Sequence, residues 1–336
     1  MSEKHLYLID GHALAYRSYF AMIKSQLSSP SGQPTGATFA FTGYLLRLLE
    51  LYKCPYVAVV FDSSKPTLRH EMYADYKAHR EAMPDDLVSQ MPLINKVVEL
   101  LNIPVVIKDG YEADDVIAHL ATTASNSGFL VSLVTKDKDL MQLVSKNVRL
   151  LAPDTGGKLD EYGPDQVKEK MGVTPGQIRD YLALVGDSSD NVPGVPGIGP
   201  KNAIKILEKA GSVEELLRNP AVVENPKLQA KIEENRDKLV LSRDLVTLHT
   251  AIDVGITIDA LVARPVMREK CIEFFKEMDF KSFLKNPLFD VRDGVDFPVI
   301  IPGSIDEVEA FVKKIVGTGW VSIDTETTSL APWEAE

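Results

Sequence analysis

In the first 150 residues, β-branched apolar runs of strand length alternate with stretches of helical periodicity. The runs are HLYLID (5–10), YVAVVFD (56–62), IPVVIKD (103–109), FLVSLVTKD (129–137) and NVRLLAP (147–153). Between them, residues 35–52, 87–101 and 114–124 carry the helical pattern. Continuously apolar strands separated by helices predict an α/β fold with a mainly parallel central sheet covered on both faces. Right-handed crossovers then set the strand C-termini along one edge, where open α/β sheets keep their sites.

From about residue 164 the pattern becomes helical, punctuated by Gly and Pro, and continues to about 285. Residues 286–303 read as a linker. The remaining residues, 304–336, read as a helix and a strand that begin a further domain. The expected division is therefore an α/β core over 1–163, interrupted by an insertion at 63–90, and a helical subdomain over 164–285. No apolar run approaches the roughly 20 residues needed to cross a membrane. The N-terminus MSEKHLYLID lacks the apolar core of a secretory signal. Two cysteines far apart, Cys54 and Cys271, exclude a disulfide framework and a thiolate zinc cluster. The expectation is a monomeric cytosolic protein without a membrane partner.

The acids fall at telling places. HLYLID ends at Asp10 and VAVVFD at Asp62. The third strand is followed by Glu112, Asp114 and Asp115, and the fourth by Asp137 and Asp139. In the helical part LVGDSSDN supplies Asp187 and Asp190, whose spacing of three predicts one helical face. A single Asp ending a strand is usually a cap or turn residue, and Asp114 and Asp115 also suit a helix N-terminus. The joint pattern says more. Seven carboxylates at one sheet edge repel when partly buried, and hard cations relieve that conflict. Mg²⁺ takes oxygen ligands, and two such ions clamp both the attacking and the leaving oxygen of a phosphodiester. The net charge of −11 argues against a polyanionic partner. Setting the nine acids aside leaves 39 against 37 Lys and Arg, so the acidity is concentrated in one place.

Two stretches suit nucleic acid. In SSKPTLRHEMYADYKAHREAMPDD, Lys65, Arg69, Lys77 and Arg80 interleave with Tyr73 and Tyr76. Lys77 and Arg80 are expected to share a helical face with Tyr73. Bases contact phosphates and aromatics stack on unpaired bases. A solvated loop fits equally well, because Glu71, Asp75 and Glu81 dilute the charge. In VPGVPGIGPKNAIKIL, Gly197 and Gly199 precede Pro200, with Lys201 and Lys205 along one side. Glycines allow close backbone approach and a helix start attracts phosphate. The alternative is a packing hairpin between two helices.

Together the motifs LIDGHALAYRSYFA, VVFD, YKAHR, GYEADDVIA, VTKDKDLMQLV and LVGDSSDNVPGVPGIGPKNA resemble the 5′ nuclease (flap endonuclease) domain of bacterial DNA polymerase I. The resemblance covers about the first 285 residues. It implies a PIN-like core, a helical arch near 63–90 and a helix–hairpin–helix near 192–207. It implies two adjacent divalent-metal sites, with Mg²⁺ or substituting Mn²⁺. Asp10, Asp62, Glu112 and Asp114 match the more essential one. Asp137, Asp139, Asp187 and Asp190 match the other, and Asp115 acts through water. Lys77 is expected near the scissile phosphate, with Arg80 and Tyr76 beside it. Arg17, Arg69 and Tyr73 match DNA-contacting positions. Gly197, Gly199, Lys201 and Lys205 match the hairpin that holds duplex, where K⁺ is often bound. The implied substrates are DNA 5′ flaps, nicks and RNA primers, in a bacterial, nucleoid-associated setting.

The tail WVSIDTETTSL resembles the first metal motif of a 3′–5′ proofreading exonuclease, with Asp324 and Glu326 as ligands. That implies a chain continuous with proofreading and polymerase domains. Two rival readings remain. One is a DNA-binding module without catalysis. The other is an aspartyl phosphatase, whose usual second acid is here His12.

Overall fold

A computed structural model of the chain describes residues 4–153, 159–289 and 304–315. Six strands form one sheet in the order β3-β2-β1-β4-β5-β6. They are β1 (His5–Asp10), β2 (Tyr56–Val60), β3 (Val105–Val106), β4 (Leu130–Val134), β5 (Val148–Pro153) and β6 (Leu159–Tyr162). The first five pair in parallel, and β6 closes the β5 edge antiparallel. Residues 159–162 (LDEY) were not read as a strand from the sequence, because their polar, partly exposed pattern lacks the apolar signal of the central strands.

Each central strand is buried on both faces because successive side chains point opposite ways. Leu6 and Leu8 of β1 join one core with Val116, Ile117 and Leu120 of α5 (Ala113–Asn126). Tyr7 and Ile9 join the other. That second core holds Leu14 of α1 (Gly11–Met22), Phe41 and Leu45 of α2 (Gly36–Tyr52), and Ile94 and Val97 of α4 (Asp85–Leu100). Fully burying one such Leu or Ile stabilises by about 1.5–3 kcal/mol, an upper figure given a compact unfolded chain.

Between β2 and α4 the insertion holds only the five-residue α3 (Leu68–Met72) before a run of turns. Lys77 has φ of +56°, a left-handed conformation that no helix permits. Tyr73, Lys77 and Arg80 therefore do not share a helical face, correcting the expectation from spacing. α4 begins at Asp85, just after Pro84.

After β6 the chain runs through α6 (Pro164–Met171), α7 (Ile178–Val185), α8 (Pro200–Ala210), α9 (Val213–Arg218), α10 (Pro226–Glu234) and α11 (Arg236–Val246). It then returns to the sheet. Ala263 N–H donates to the Pro55 carbonyl and Met267 N–H to the Leu100 carbonyl, both at 2.9 Å. α12 (Arg268–Glu277) packs Phe274 and Phe275 into the same core as α2 and α4. Residues 287–289 form a short 3₁₀ turn in which Phe289 is 2% exposed. The packed chain thus continues past the point where the sequence suggested a linker. Residues Met1–Asp290 form one compact unit. In the second unit, Val291–Glu336, the described stretch 304–315 contains α13 (Ile305–Ile315). The expected linker stretch 290–303 and the motif with Asp324 and Glu326 lie outside the described residues.

Candidate active site

The acidic edge is built by the ends of three parallel strands and the start of α5. Asp10 ends β1 and caps α1, accepting from Ala13 N–H at 3.0 Å through Oδ1. Its Oδ2 accepts from the Thr135 hydroxyl at 3.0 Å. Next to it Gly11 leaves room for Phe61, whose ring a β-carbon would strike. Asp62 follows β2 and accepts from Ala113 N–H at 2.7 Å, tying the second strand to the first turn of α5. Glu112 is the N-cap of α5, and Asp114 lies in its first turn. Asp137 follows β4 and accepts from Asp139 N–H at 2.8 Å. A cleft of about 450 Å³ is lined by Asp10, Asp62, Glu112, Asp114, Asp137 and Lys77, among others.

Asp187 and Asp190 reach this edge by another route than the expected helical face. α7 stops at Val185, and the two acids occupy a tight loop closed by paired hydrogen bonds between Asp187 and Val192. Gly186 and Gly194 pack backbone on backbone there, with φ of +78° and +60°. No residue with a β-carbon fits either position without displacing main chain.

Basic groups already answer several of the acids. Lys77 Nζ donates to Glu112 Oε1 at 2.6 Å and lies 3.8 Å from Asp190. Arg80 donates to Asp190 at 2.6 Å, and Lys138 pairs with Asp187 at 2.8 Å. Tyr76 is buried, its single hydroxyl proton shared between Glu112 Oε2 and Asp190 Oδ2 at 3.1 and 3.2 Å. Its ring is thus not free to stack on bases, one of the two readings of the stretch, but it does stand beside Lys77, whose Nζ lies 5.0 Å from the ring centroid. Arg69 and Asp115 are buried against each other and face neither solvent nor the open cleft. That corrects the expected DNA contact for Arg69 and water-mediated metal contact for Asp115. Tyr73 is partly buried and packs against the core on the α5 side of the sheet. Arg17 is half-buried on α1, and Lys201 and Lys205 are exposed on α8.

Comparison with known proteins agrees with this architecture. The N-terminal resolvase-like domain of 5′–3′ exonucleases matches residues 5–172, and their C-terminal SAM-fold domain matches residues 173–269. The chain belongs to the 5′–3′ exonuclease family. It is 42% identical over 282 residues to the 5′–3′ exonuclease of Aquifex aeolicus, covering 84% of this chain and 94% of that protein. It is 37% identical over 356 residues to DNA polymerase I of Pseudomonas aeruginosa, covering 100% of this chain. The chain spans only 38% of that polymerase's length. Among solved structures, the T5 5′-exonuclease with bound zinc ions aligns with a TM-score of 0.60 at 22% identity. That alignment covers 82% of this chain and 99% of the other. The catalytic core of Rad2 in complex with DNA aligns with a TM-score of 0.56 at 16% identity, over 85% and 92% of the two chains. At such identities the likeness is one of fold.

The acids at this edge perturb one another's titration. Burial lifts the Asp10 carboxyl to about 6, with the Asp137 and Asp62 charges adding to the rise against opposing hydrogen bonds. Burial, then the Asp137 and Asp187 charges, lift Asp139 to about 8. Asp114 and Asp137 are raised by the same causes, burial first. Asp187 runs the other way: the Lys138 contact and Ser189 N–H outweigh burial and hold it below the usual range.

The fit to cations follows from the donors. They are all carboxylate oxygens, the ligand type of Mg²⁺ and Mn²⁺. Asp139 Oδ1 is buried with no hydrogen-bond partner, an arrangement that costs free energy unless a cation or water answers it. Among the described residues, no three His, Cys, Asp or Glu side chains stand together as a ready cation cage. The acids instead line the cleft, several of them engaged by lysine and arginine.

A pH dependence follows. The raised carboxyls bind more protons in the folded than in the unfolded chain between about pH 4 and 8, so stability falls as pH rises through that window. The metal-free chain should melt lower at about pH 8 than at about pH 6, and added Mg²⁺ should raise the midpoint more at the higher pH. Calorimetric melting at both values checks this. A Mg²⁺ shift independent of pH would mean the acids do not titrate as a cluster.

Residues not singled out by the sequence also shape the site. Thr135 orients Asp10, and Lys138 neutralises Asp187. His12, read from sequence only as a departure from the phosphatase pattern, sits 3.2 Å from Asp62. The repeated Lys-Asp in TKDKD was the one available signal for Lys138. Thr135 had none.

Proposed function

We propose that this chain is a structure-specific 5′ nuclease that hydrolyses phosphodiesters at 5′ flaps, nicks and RNA primers. The observation that carries the reading is the cleft itself. Asp10, Asp62, Glu112, Asp114 and Asp137 line it, Asp139 stands behind with an unanswered oxygen, and Lys77 and Arg80 stand at its side.

Divalent ions, Mg²⁺ by ligand chemistry with Mn²⁺ able to substitute, would be held by Asp10, Asp62, Glu112 and Asp114 and by Asp137, Asp139, Asp187 and Asp190. When bound, such ions supply a nucleophile at neutral pH and offset charge on attacking and leaving oxygens. The chain's own groups do the rest. Asp10 and Asp62 are fixed through Ala13, Thr135 and Ala113, so their oxygens are preorganised. Lys77 reaches into the cleft and can transfer its contact from Glu112 to the scissile phosphate as negative charge develops there. Arg80 and Arg17 supply further positive charge beside the path of a single strand.

Gly197 and Gly199 bend the chain into α8, whose start and exposed Lys201 and Lys205 face solvent where a duplex backbone can approach. A K⁺ ion at this hairpin is part of the proposal. So is a longer protein in which 304–336 opens a proofreading domain ahead of a polymerase, giving primer removal and repair in the bacterial cytoplasm. Among the described residues no helix is long and apolar enough to cross a membrane.

The test is a 5′-labelled flap duplex incubated with the chain and Mg²⁺, then with EDTA. Short 5′ products that require the metal are expected. Tight flap binding with no metal-dependent product would leave a DNA-holding module instead.

A further inference from the structure

We infer that Arg69 and Asp115 act together as a positioning pair that sets the Glu112 carboxylate in the cleft and braces it against the tail of α11. The inference rests on the nuclease reading of the cleft.

Arg69 is 3% exposed, and all five N–H groups of its guanidinium have an acceptor. Nε donates to the Leu245 carbonyl at 2.7 Å. Nη2 donates to the Thr247 carbonyl at 2.8 Å and to Asp115 Oδ1 at 2.9 Å. Nη1 donates to Asp115 Oδ2 at 2.6 Å and to Glu112 Oε2 at 3.4 Å. Asp115, 1% exposed, is equally committed: Oδ1 also accepts from His249 N–H at 2.9 Å and Oδ2 from Glu112 N–H at 3.3 Å. No donor is left for a phosphate, and no carboxylate oxygen turns to solvent.

The consequence for Glu112 is directional. Its Oε2 is taken by Arg69 and the Tyr76 hydroxyl. Its Oε1 is thereby held toward Lys77 and the cleft. A ligand carboxylate whose second oxygen is pinned this way keeps one rotamer, which is how outer partners tune a cation site. The C-terminal end of α11 also holds a second acid-bearing segment. Gln142 Nε2 donates to the Val246 carbonyl at 3.2 Å and to the Asp139 carbonyl at 2.9 Å. Within α11, Ser242 Oγ accepts from Gly194 N–H at 2.9 Å, steadying the loop that carries Asp187 and Asp190. One helix and its tail therefore space three groups of acids, and Arg69 is the tie to Glu112.

Arg69→Lys and Asp115→Asn, each in the full 336-residue chain, test this. A lysine cannot reproduce the planar five-donor fork. Asparagine keeps the shape of Asp115 and loses its charge, and it carries the test should Arg69→Lys fail to fold. Measurements are made at a temperature where circular dichroism finds each variant folded. Mn²⁺ binding followed by calorimetry without DNA is expected to weaken about 10–100-fold. The kcat for flap cleavage should fall comparably, with KM and its salt dependence unchanged. A rise in KM with a smaller salt slope and intact Mn²⁺ affinity would overturn the inference and make Arg69 a phosphate contact. A lower melting point with Mn²⁺ affinity and kcat intact would also overturn it, leaving only a structural brace. A wild-type chain that does not cleave would sink the nuclease reading separately, while the Mn²⁺ comparison would still decide the positioning role.

Discussion

Asp10→Asn is expected to lower flap cleavage at least ~10³-fold, about 4 kcal/mol of transition-state stabilisation, while the fold and DNA affinity stay in place. The substitution is conservative for structure. An asparagine oxygen still caps α1 by accepting from Ala13 N–H, and its amide can donate to Thr135. What it removes is a negative charge at the centre of the cleft. That charge is the expected anchor for a divalent ion, and its neighbours Asp62 and Asp137 cannot occupy the same place. Since burial and like charges hold the Asp10 carboxyl up at about 6, neutralising it relieves repulsion in the metal-free chain. Its melting point at pH 8 should therefore hold or rise. Single-turnover cleavage beside flap binding in EDTA separates the two effects. Turnover within tenfold of wild type would remove Asp10 from the chemistry.

Phe289→Ala is expected to destabilise the first unit by about 3–5 kcal/mol. The ring is 2% exposed and meets Phe275 edge-on, with centroids 5.2 Å apart. Phe275 in turn contacts Phe280 and Phe283, so the cavity left behind would open inside an aromatic cluster that cannot collapse freely. Urea unfolding of the variant measures the loss. A chain ending at residue 285 should lose a similar amount. A change under about 1 kcal/mol would return residues 286–289 to the linker that composition suggested.

The central sheet was legible because its signal is local. HLYLID and FLVSLV are apolar at all but a few positions, and such runs have few other places to go than the middle of a parallel sheet. β6 was not legible because an edge strand needs no apolar face. The carboxylates Asp10, Asp62 and Asp137 were legible for the same local reason: each is tied to a strand end. Asp187 and Asp190 were read on a helical face from their spacing alone. The structure ends α7 two residues before Asp187, since Gly186 takes a φ that ends the helix and lets two backbone segments touch. Phe289 looked like linker because a 3₁₀ turn has no sequence period to detect.

The basic residues of the insertion divide along the same line. Sequence offered Lys65, Arg69, Lys77 and Arg80, interleaved with Tyr73 and Tyr76, as one DNA-facing set, with a solvated loop equally open. Folding sends Arg69 inward to Asp115, 46 positions away, and to the Leu245 carbonyl, 176 positions away. It leaves Lys77 and Arg80 at the cleft. No local pattern distinguishes an arginine bound for solvent from one bound for a buried fork, because the difference lies in partners supplied by distant segments.

By itself, then, the sequence determined the parallel α/β sheet, the edge where the acids gather and the chemistry those oxygens favour. Strand direction and side-chain alternation are properties of the chain within a few residues. Only the tertiary structure decided which acids line the cleft and which are spent on a buried ion pair. Burial and pairing are set by segments far apart in sequence, and the same carboxylate is a ligand in one surrounding and a brace in another.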